Sequence, residues 1–309
     1  MHESDAKPES DLPIETLTLS NGALEFSAFA CGLKENPTRP LVLCLHGFPD
    51  NARSFRFQLP ALAQAGYRVI APTLRGYEPR SQPVDKDYSV GTLARDVLAW
   101  IDELGEEKVH LIGHDWGAGI AYMAGAIAPE RFHSLTTIAV PHAARLPDGI
   151  RLVPSQLAKS WYMMFFQLRG VAEIAVERND WSLIRRLWRD WSPGYELPKE
   201  EWANLRATFE LPGVKRAMLS YYRQNASPGV LLGLKKTEAT KLTTVRVRTL
   251  AITGVDDGCM DTRLYDHVFL AEDFPNGVRV ERIQNAGHFT HQEKPDEVNR
   301  LTLAWLEEG

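Results

Sequence analysis

Five consecutive residues, Gly113-His114-Asp115-Trp116-Gly117, carry the first chemical suggestion in this chain of 309 residues. They follow the apolar run Val109-His110-Leu111-Ile112 and precede the small-residue stretch from Ala118 to Ala128. The spacing matches a G-x-S-x-G strand-to-helix turn, which is sharp and strained and lifts its central side chain above a sheet. Here the centre is a carboxylate. Flanking glycines suit close contact between strand and helix. The following helix aims its N-terminus at the central residue, which favours an anion there, and the Trp116 backbone N–H can act as an oxyanion donor. A carboxylate attacking an ester or amide carbonyl gives an anhydride, an uphill intermediate. Attack on a saturated carbon with a good leaving group gives a stable alkyl ester instead. Asp115 therefore points away from ester and peptide cleavage and toward epoxides or carbon–halogen bonds.

Three other segments supply what such a nucleophile needs. His46-Gly47-Phe48-Pro49 follows an apolar run, where the Phe48 N–H would be the second oxyanion donor. Asp256 and Asp257 follow "TLAITG", and His288 follows "RVERIQN". The order nucleophile, acid, histidine is that of α/β-hydrolases. Asp257, three residues after Gly254, is the expected partner of His288, while Asp256 is expected to cap the next helix. His288 would activate a water against the ester on Asp115. A nucleotide-binding turn fits poorly, because Tyr122 stands where the third glycine of G-x-G-x-x-G belongs. "HFTH" lacks both H-E-x-x-H and an acidic ligand set, so neither a metal nor a cofactor is expected, and His291 is expected at the surface or behind His288. Opening an epoxide makes an alkoxide that needs an acid, and tyrosine suits because its hydroxyl stays protonated at neutral pH. "SWYMMFFQLRGVAE" offers Tyr162 for this; "AMLSYYRQN" offers Tyr221 and Tyr222.

The elements that must position these residues are legible as patterns. "IETLTLS" and "ALEFSAFA" around Asn21-Gly22 read as a hairpin. "LVLCLHG", "YRVIAPT", "VHLIGHD" and "SLTTIAV" are short, continuously apolar runs of the kind buried on both faces of a parallel sheet, with Cys44 a small buried side chain. Val90, Leu93, Ala94, Val97, Leu98, Ile101 and Leu104 keep one apolar helical face, with Ser89 as N-cap and Gly105 as stop. Strand–helix alternation predicts a doubly wound α/β sheet. From 143 to 235 the alternation breaks into helices that hold five of the eight tryptophans, and a final helix follows in "PDEVNRLTLAWLEE". The expectation is a polar, disordered tail at 1–13, a core at 14–142 and 236–309, and a helical cap at 143–235 over the carboxyl ends of the strands.

A net charge of −5 argues against nucleic acid or an anionic membrane as partner. No run approaches a membrane span, the first residues lack a signal-peptide pattern, and three scattered cysteines fit a reducing, cytoplasmic setting. The tryptophan-rich segment could wall a pocket or form a homodimer interface, and the sequence leaves both open.

Taken together, "HGFPD", "RGY", "GHDWGAGIA", "WYMMFFQ", "LSYYRQN", "GVDD" and "GHFTHQEKP" resemble the epoxide hydrolases of the α/β-hydrolase fold, from about residue 14 to 307. The resemblance implies an eight-stranded, mostly parallel sheet with an inserted cap, and a small epoxide and water as the reactants. It assigns Tyr162 and Tyr222 as the acids that hold and protonate the epoxide oxygen and gives Tyr221 a non-catalytic place. A cis Phe48–Pro49 bond is also implied. His46, Phe48, Pro49, Trp116 and Phe166 are expected around an apolar or aryl substrate. Thr73 and Glu78 in "TLRGYEPRS" and Gln224 in "YRQ" depart from the family pattern. "GHDWG" is shared with haloalkane dehalogenases, the nearest alternative. Their second halide donor is an Asn at the place of Phe48, excluded here, or a cap tryptophan such as Trp161, left open. A non-catalytic hydrolase-fold binding protein would have lost a triad member, and none is missing.

Overall fold

The computed structural model describes residues 12–308; most of the tail expected at 1–13 lies outside them. Eight strands form one sheet in the order β1-β2-β4-β3-β5-β6-β7-β8. Strands β1 (Glu15–Asn21) and β2 (Leu24–Cys31) form the hairpin, with Asn21 paired to Leu24, so the turn residues are Gly22 and Ala23. Gly22 takes φ 61°, which a side chain would resist. β2 runs antiparallel to β4 (Arg68–Pro72). From β4 onward the neighbours β3 (Leu41–Leu45), β5 (Val109–His114), β6 (Phe132–Ile138), β7 (Thr249–Gly254) and β8 (Val278–Ile283) are all parallel. This is the α/β-hydrolase arrangement read from the sequence.

The continuously apolar strands behave as their composition demands. Every residue of β3, β5 and β7 is buried. Along β3, Leu41, Leu43 and Leu45 pack into one cluster while Val42 and Cys44 pack into another, because successive side chains leave opposite faces of a strand. The first cluster holds Val97, Trp100 and Ile120 from α2 (Val90–Glu103) and α3 (Trp116–Ile127). The second holds Leu59 and Leu62 from α1 (Gln58–Gln64) and Val298 and Trp305 from the C-terminal helix Pro295–Glu307. Two-sided covering is the doubly wound architecture. Ser89 is at the N-cap of α2, but its hydroxyl donates to Thr92 Oγ1 at 3.1 Å rather than accepting a backbone N–H. Gly105 follows the end of the helix with φ 71°.

Between β6 and β7 the described residues contain no strand. They form α4 (Leu146–Leu152), α5 (Ser155–Lys159), α6 (Trp161–Phe165), α7 (Val171–Trp191), α8 (Lys199–Glu210) and α9 (Val214–Asn225), with short turns to Lys241. α7 is interrupted: Arg178 leaves the helix and Asn179, Asp180 and Trp181 take φ of 52°, 55° and 58°. The Trp181 ring, 5.3 Å from Phe209 of α8, is buried at this break. No helix among the described residues is long and apolar enough to cross a membrane.

Candidate active site

Asp115 stands between β5 and α3 with φ 50° and ψ −117°. A non-glycine residue holds such a conformation at a cost of about 1–3 kcal/mol and only where its surroundings insist. A Cβ on Gly113 would lie 2.2 Å from the Gly117 carbonyl oxygen, and one on Gly117 would lie 2.0 Å from that of Leu45. Both glycines are thus explained by close strand–helix contact, and the turn presents the carboxylate at the carboxyl edge of the sheet.

The predicted partners converge on it. The Phe48–Pro49 bond is cis, and the Phe48 N–H donates to Asp115 Oδ1 at 2.7 Å. Asp115 Oδ2 lies 3.4 Å from His288 Nε2. His288 Nδ1–H donates to Asp257 Oδ2 at 3.0 Å, which leaves Nε2 as the free nitrogen. Asp257 Oδ1 accepts the N–H groups of Cys259 at 2.7 Å and Met260 at 2.8 Å. Asp256 is exposed and takes no part in this set. Burial by itself disfavours an imidazolium, but Cys259, Asp257 and Asp115 together outweigh it and raise His288 well above its ordinary value. Burial also raises the Cys259 thiol, so the neighbour is a neutral S–H and the two carboxylates carry the effect on His288.

Tyr162 and Tyr222 come from α6 and α9, and both line the cleft that Asp115 and Trp116 floor. Their rings are 5.5 Å apart at 84°. Burial lifts both hydroxyls well above the usual tyrosine range, keeping them protonated donors. Tyr162 Oη is 3.3 Å from Cys259 Sγ. The Tyr222 hydroxyl and the Trp116 indole N–H are buried close to each other, their rings 5.1 Å apart, without a hydrogen bond of good geometry, so the hydroxyl's proton is uncommitted. The adjacent Tyr221 differs: its hydroxyl donates to the Arg75 carbonyl at 2.7 Å and is spent.

The cleft holds a cavity of about 110 Å³. Its remaining walls are mostly apolar. Its other polar side chains, Asn225, Thr237 and Thr240, bond to their own surroundings: Asn225 Nδ2 donates to the Tyr88 carbonyl at 2.9 Å, Thr237 Oγ1 accepts the Thr240 N–H at 3.3 Å, and Thr240 Oγ1 donates to the Thr237 carbonyl at 3.2 Å. The expected pocket set needs correction, for only Trp116 among the five lines the cleft. His46 is fully buried, donating from Nδ1 to the Gly47 carbonyl at 3.0 Å and accepting the Leu74 N–H on Nε2 at 3.0 Å. Burial lowers its pKa to about 4, so it is a neutral brace beneath the loop. Pro49 contributes its carbonyl, which accepts the Trp188 indole N–H at 3.2 Å. Phe48 and Phe166 have no exposed surface and pack 5.2 Å and 5.1 Å from the Tyr222 ring, behind the cleft wall. His291 is buried, not superficial: Nε2 meets Ser54 Oγ at 2.5 Å and its ring lies 4.4 Å from His114.

Several positioning groups carried no sequence signal. The Trp191 carbonyl at the end of α7 accepts the N–H of both Gly258 and His288 at 3.0 Å, joining the helical segment to the two triad loops. A Cβ on Gly258 would lie 1.9 Å from the Asp190 carbonyl oxygen. Cys259 belongs to no motif in the sequence, yet its Sγ, an Asp257 oxygen and a His288 nitrogen lie within 4.8 Å of one another. Such donors could suit a metal, but both Asp257 oxygens are engaged and burial keeps the thiol protonated. The departures from the family pattern have structural work. Glu78 accepts the Ser27 N–H at 2.6 Å, and Gln224 accepts the Tyr88 N–H at 2.8 Å and donates to the Lys86 carbonyl at 2.8 Å.

The comparisons with known proteins agree with this geometry. The family described as alpha/beta hydrolase fold matches residues 40–295. Epoxide hydrolase 4 of Homo sapiens is 31% identical over 296 residues, covering 94% of this chain and 78% of that protein. Epoxide hydrolase 3 of Xenopus tropicalis is 31% identical, covering 94% and 77%. The crystal structure of the Bacillus megaterium epoxide hydrolase with an inhibitor superposes with a TM-score of 0.81 at 27% identity, covering 95% of this chain and 100% of that one. Fold, turn and similarity over nearly the whole length lead to one assignment: this chain belongs to the epoxide hydrolase family of the α/β-hydrolase fold.

Proposed function

We propose that this protein hydrolyses an apolar epoxide, aliphatic or aryl, to a vicinal diol through a covalent ester on Asp115. The observation that carries the reading is the pairing, in one cleft, of the Asp115 carboxylate with the unpartnered Tyr222 hydroxyl. An anionic nucleophile on one side and a protonated donor on the other are what epoxide opening requires. In this reading residues 143–235 act as the cap that brings both tyrosines over the sheet.

Asp115 Oδ2 is the attacking atom, because Oδ1 already holds the Phe48 N–H. Attack on an epoxide carbon breaks its C–O bond, and the electron pair goes to the oxygen. The tyrosines hold that oxygen and supply its proton, leaving a hydroxyalkyl ester on Asp115. His288 Nε2 then takes a proton from water, and the hydroxide adds to the ester carbonyl. The resulting oxyanion forms at Oδ1, where the Phe48 N–H already lies and the Trp116 N–H is the second donor. Collapse expels the diol and restores the carboxylate. Asp257 keeps the imidazole in the tautomer that leaves Nε2 free.

A second reading, displacement of halide from a haloalkane, draws on the unpartnered indole N–H of Trp116. It uses the same ester but needs no acid. Side-by-side single-turnover assays on a styrene-type epoxide and a bromoalkane separate the two. Epoxide turnover is expected, with added mass on the peptide carrying Asp115 at early quench times and none in Asp115→Ala. No adduct in the wild type would sink the covalent route, and faster bromide release than diol formation would favour the second reading.

A further inference from the structure

The proposed reaction takes a proton from a tyrosine and gives one to His288. One proton must therefore travel from the imidazole to the phenolate in every turnover. Cys259 stands between them. Its Sγ is 3.3 Å from Tyr162 Oη, and Sγ, a His288 nitrogen and an Asp257 oxygen all lie within 4.8 Å of one another. His288 Nδ1 is taken by Asp257, and Nε2, also buried, has no hydrogen-bond partner. The Cys259 N–H is anchored on Asp257 Oδ1 at 2.7 Å, so the thiol is fixed in the same turn as the triad acid. The Tyr222 hydroxyl is also near Cys259, Asp115 and the Trp116 indole, but it makes no hydrogen bond of good geometry to the thiol, whereas Tyr162 does.

We propose that Cys259 relays the proton from His288 to Tyr162, and that Tyr162 is the tyrosine that surrenders its proton while Tyr222 only holds the epoxide oxygen. The inference rests on the covalent scheme above. Its steps balance. Ring opening moves the Tyr162 proton to the epoxide oxygen and leaves a phenolate. The Cys259 S–H proton passes to that phenolate, and the thiolate takes a proton from the His288 imidazolium. His288 is then neutral and ready to accept the proton of the attacking water, which returns every group to its starting state. The ordinary pKa values fall in the needed order, phenol ~10, thiol ~8.5, imidazolium ~6.5, and burial raises the thiol and the phenol alike. The carboxylates of Asp115 and Asp257 hold the starting proton on His288, with Cys259, His114, His291 and Glu293 the other titratable groups facing it. Alkylation of Asp115 removes one of those negative charges at the moment the proton must leave.

Rapid-quench kinetics on Cys259→Val, which fills the space and excludes water, separates ester formation from ester decay. Formation of the Asp115 adduct is expected at the wild-type rate, and decay roughly 10²-fold slower, the size of a lost acid–base function. The adduct then accumulates at neutral pH, and decay recovers as pH rises, since hydroxide can take the proton that Cys259 no longer passes. Cys259→Ala, free of any packing burden, is expected to show the same split. Equal slowing of both steps, or wild-type decay in either variant, overturns the relay and leaves Cys259 a packing residue. Absence of the adduct from the wild type instead rejects the covalent scheme itself, so the two failures are distinguishable.

Discussion

On the sheet side of the cleft the carboxylates are fully engaged. Asp257 accepts three hydrogen bonds and Asp115 accepts the Phe48 N–H while facing His288. On the helical side the Tyr222 hydroxyl, as buried as any of them, makes no hydrogen bond of good geometry. A buried hydroxyl without a partner costs on the order of 1–3 kcal/mol, and the neighbouring Tyr221 avoids that cost by bonding to Arg75. In the proposed reaction the contrast separates two jobs. A nucleophile and its base must be held in one geometry, whereas a donor meant for a substrate oxygen has to remain unpaired until that oxygen arrives. Around Tyr222 the frame is nonetheless firm. Arg223 donates to the Phe166 carbonyl at 2.8 Å and pairs with Glu173 at 2.7 Å, and Gln167 donates to the Tyr222 carbonyl at 3.2 Å. The frame is saturated while the working hydroxyl is left free.

Breaking the sheet side should have the largest effect. His288→Gln leaves Asp115 able to attack but removes the base, so diol formation should stop while the Asp115 adduct builds up and persists in mass spectra of quenched samples. A variant that turns over normally would dismiss the assigned role. Next in size is the contrast between the tyrosines. Tyr162→Phe with Tyr222→Phe should slow adduct formation by about 10²–10⁴-fold. Tyr221→Phe should leave it near wild type and lower unfolding stability by about 0.5–1.5 kcal/mol, the worth of one hydrogen bond. Stopped-flow alkylation rates with urea melts of the three variants read both numbers, and equal kinetic losses at 221 and 222 would erase the distinction.

The frame is tested through stability, with no effect on the chemical steps expected. The Arg223 guanidinium holds the Glu173 carboxyl down to about 2 against the opposing effect of partial burial, from an ordinary 4.5. A depressed folded-state value adds stability that is present above about 4.5 and is lost as pH falls toward about 2. Glu173→Gln should therefore be less stable than wild type at neutral pH by about 1–3 kcal/mol. The gap should close on acidification across that window. A gap independent of pH would mean the pair does not anchor α9 electrostatically.

The chemical identity of the site was legible early because it depends on local pattern. A carboxylate centred between Gly113 and Gly117 is informative wherever it occurs, since few backbone arrangements need both glycines so close to a strand. Buried parallel strands announce themselves as unbroken apolar runs such as Leu41–Leu45, and a parallel sheet fixes which strand ends lie together. Asp257 was chosen over Asp256 from its distance to Gly254, and the structure pairs it with His288 and leaves Asp256 exposed. The pocket set fared worse. His46, Pro49, Phe48 and Phe166 are apolar or adjacent to the motif, but proximity in sequence does not say whether a side chain faces the cleft or the packing behind it. His291 lies three residues after His288, yet its side chain is turned into the core against Ser54 and His114.

By itself the sequence picked out Asp115, Asp257 and His288 as one set, the strand–helix alternation and the candidate tyrosines, because each rests on residue type, periodicity or chain order; the strand order of the sheet came with the structure. Only the tertiary structure decided which hydroxyls are free. Tyr221 and Tyr222 are adjacent and chemically identical; family resemblance tells them apart, but the physical reason appears only when α9 packs and turns one toward the Arg75 carbonyl and the other into the cleft. The same holds for Cys259, unremarkable in the chain and placed beside Tyr162 and His288 only when α6 folds over the strand ends. Hydrogen-bond satisfaction and side-chain direction are properties of the packed molecule, fixed by contacts between segments about a hundred residues apart.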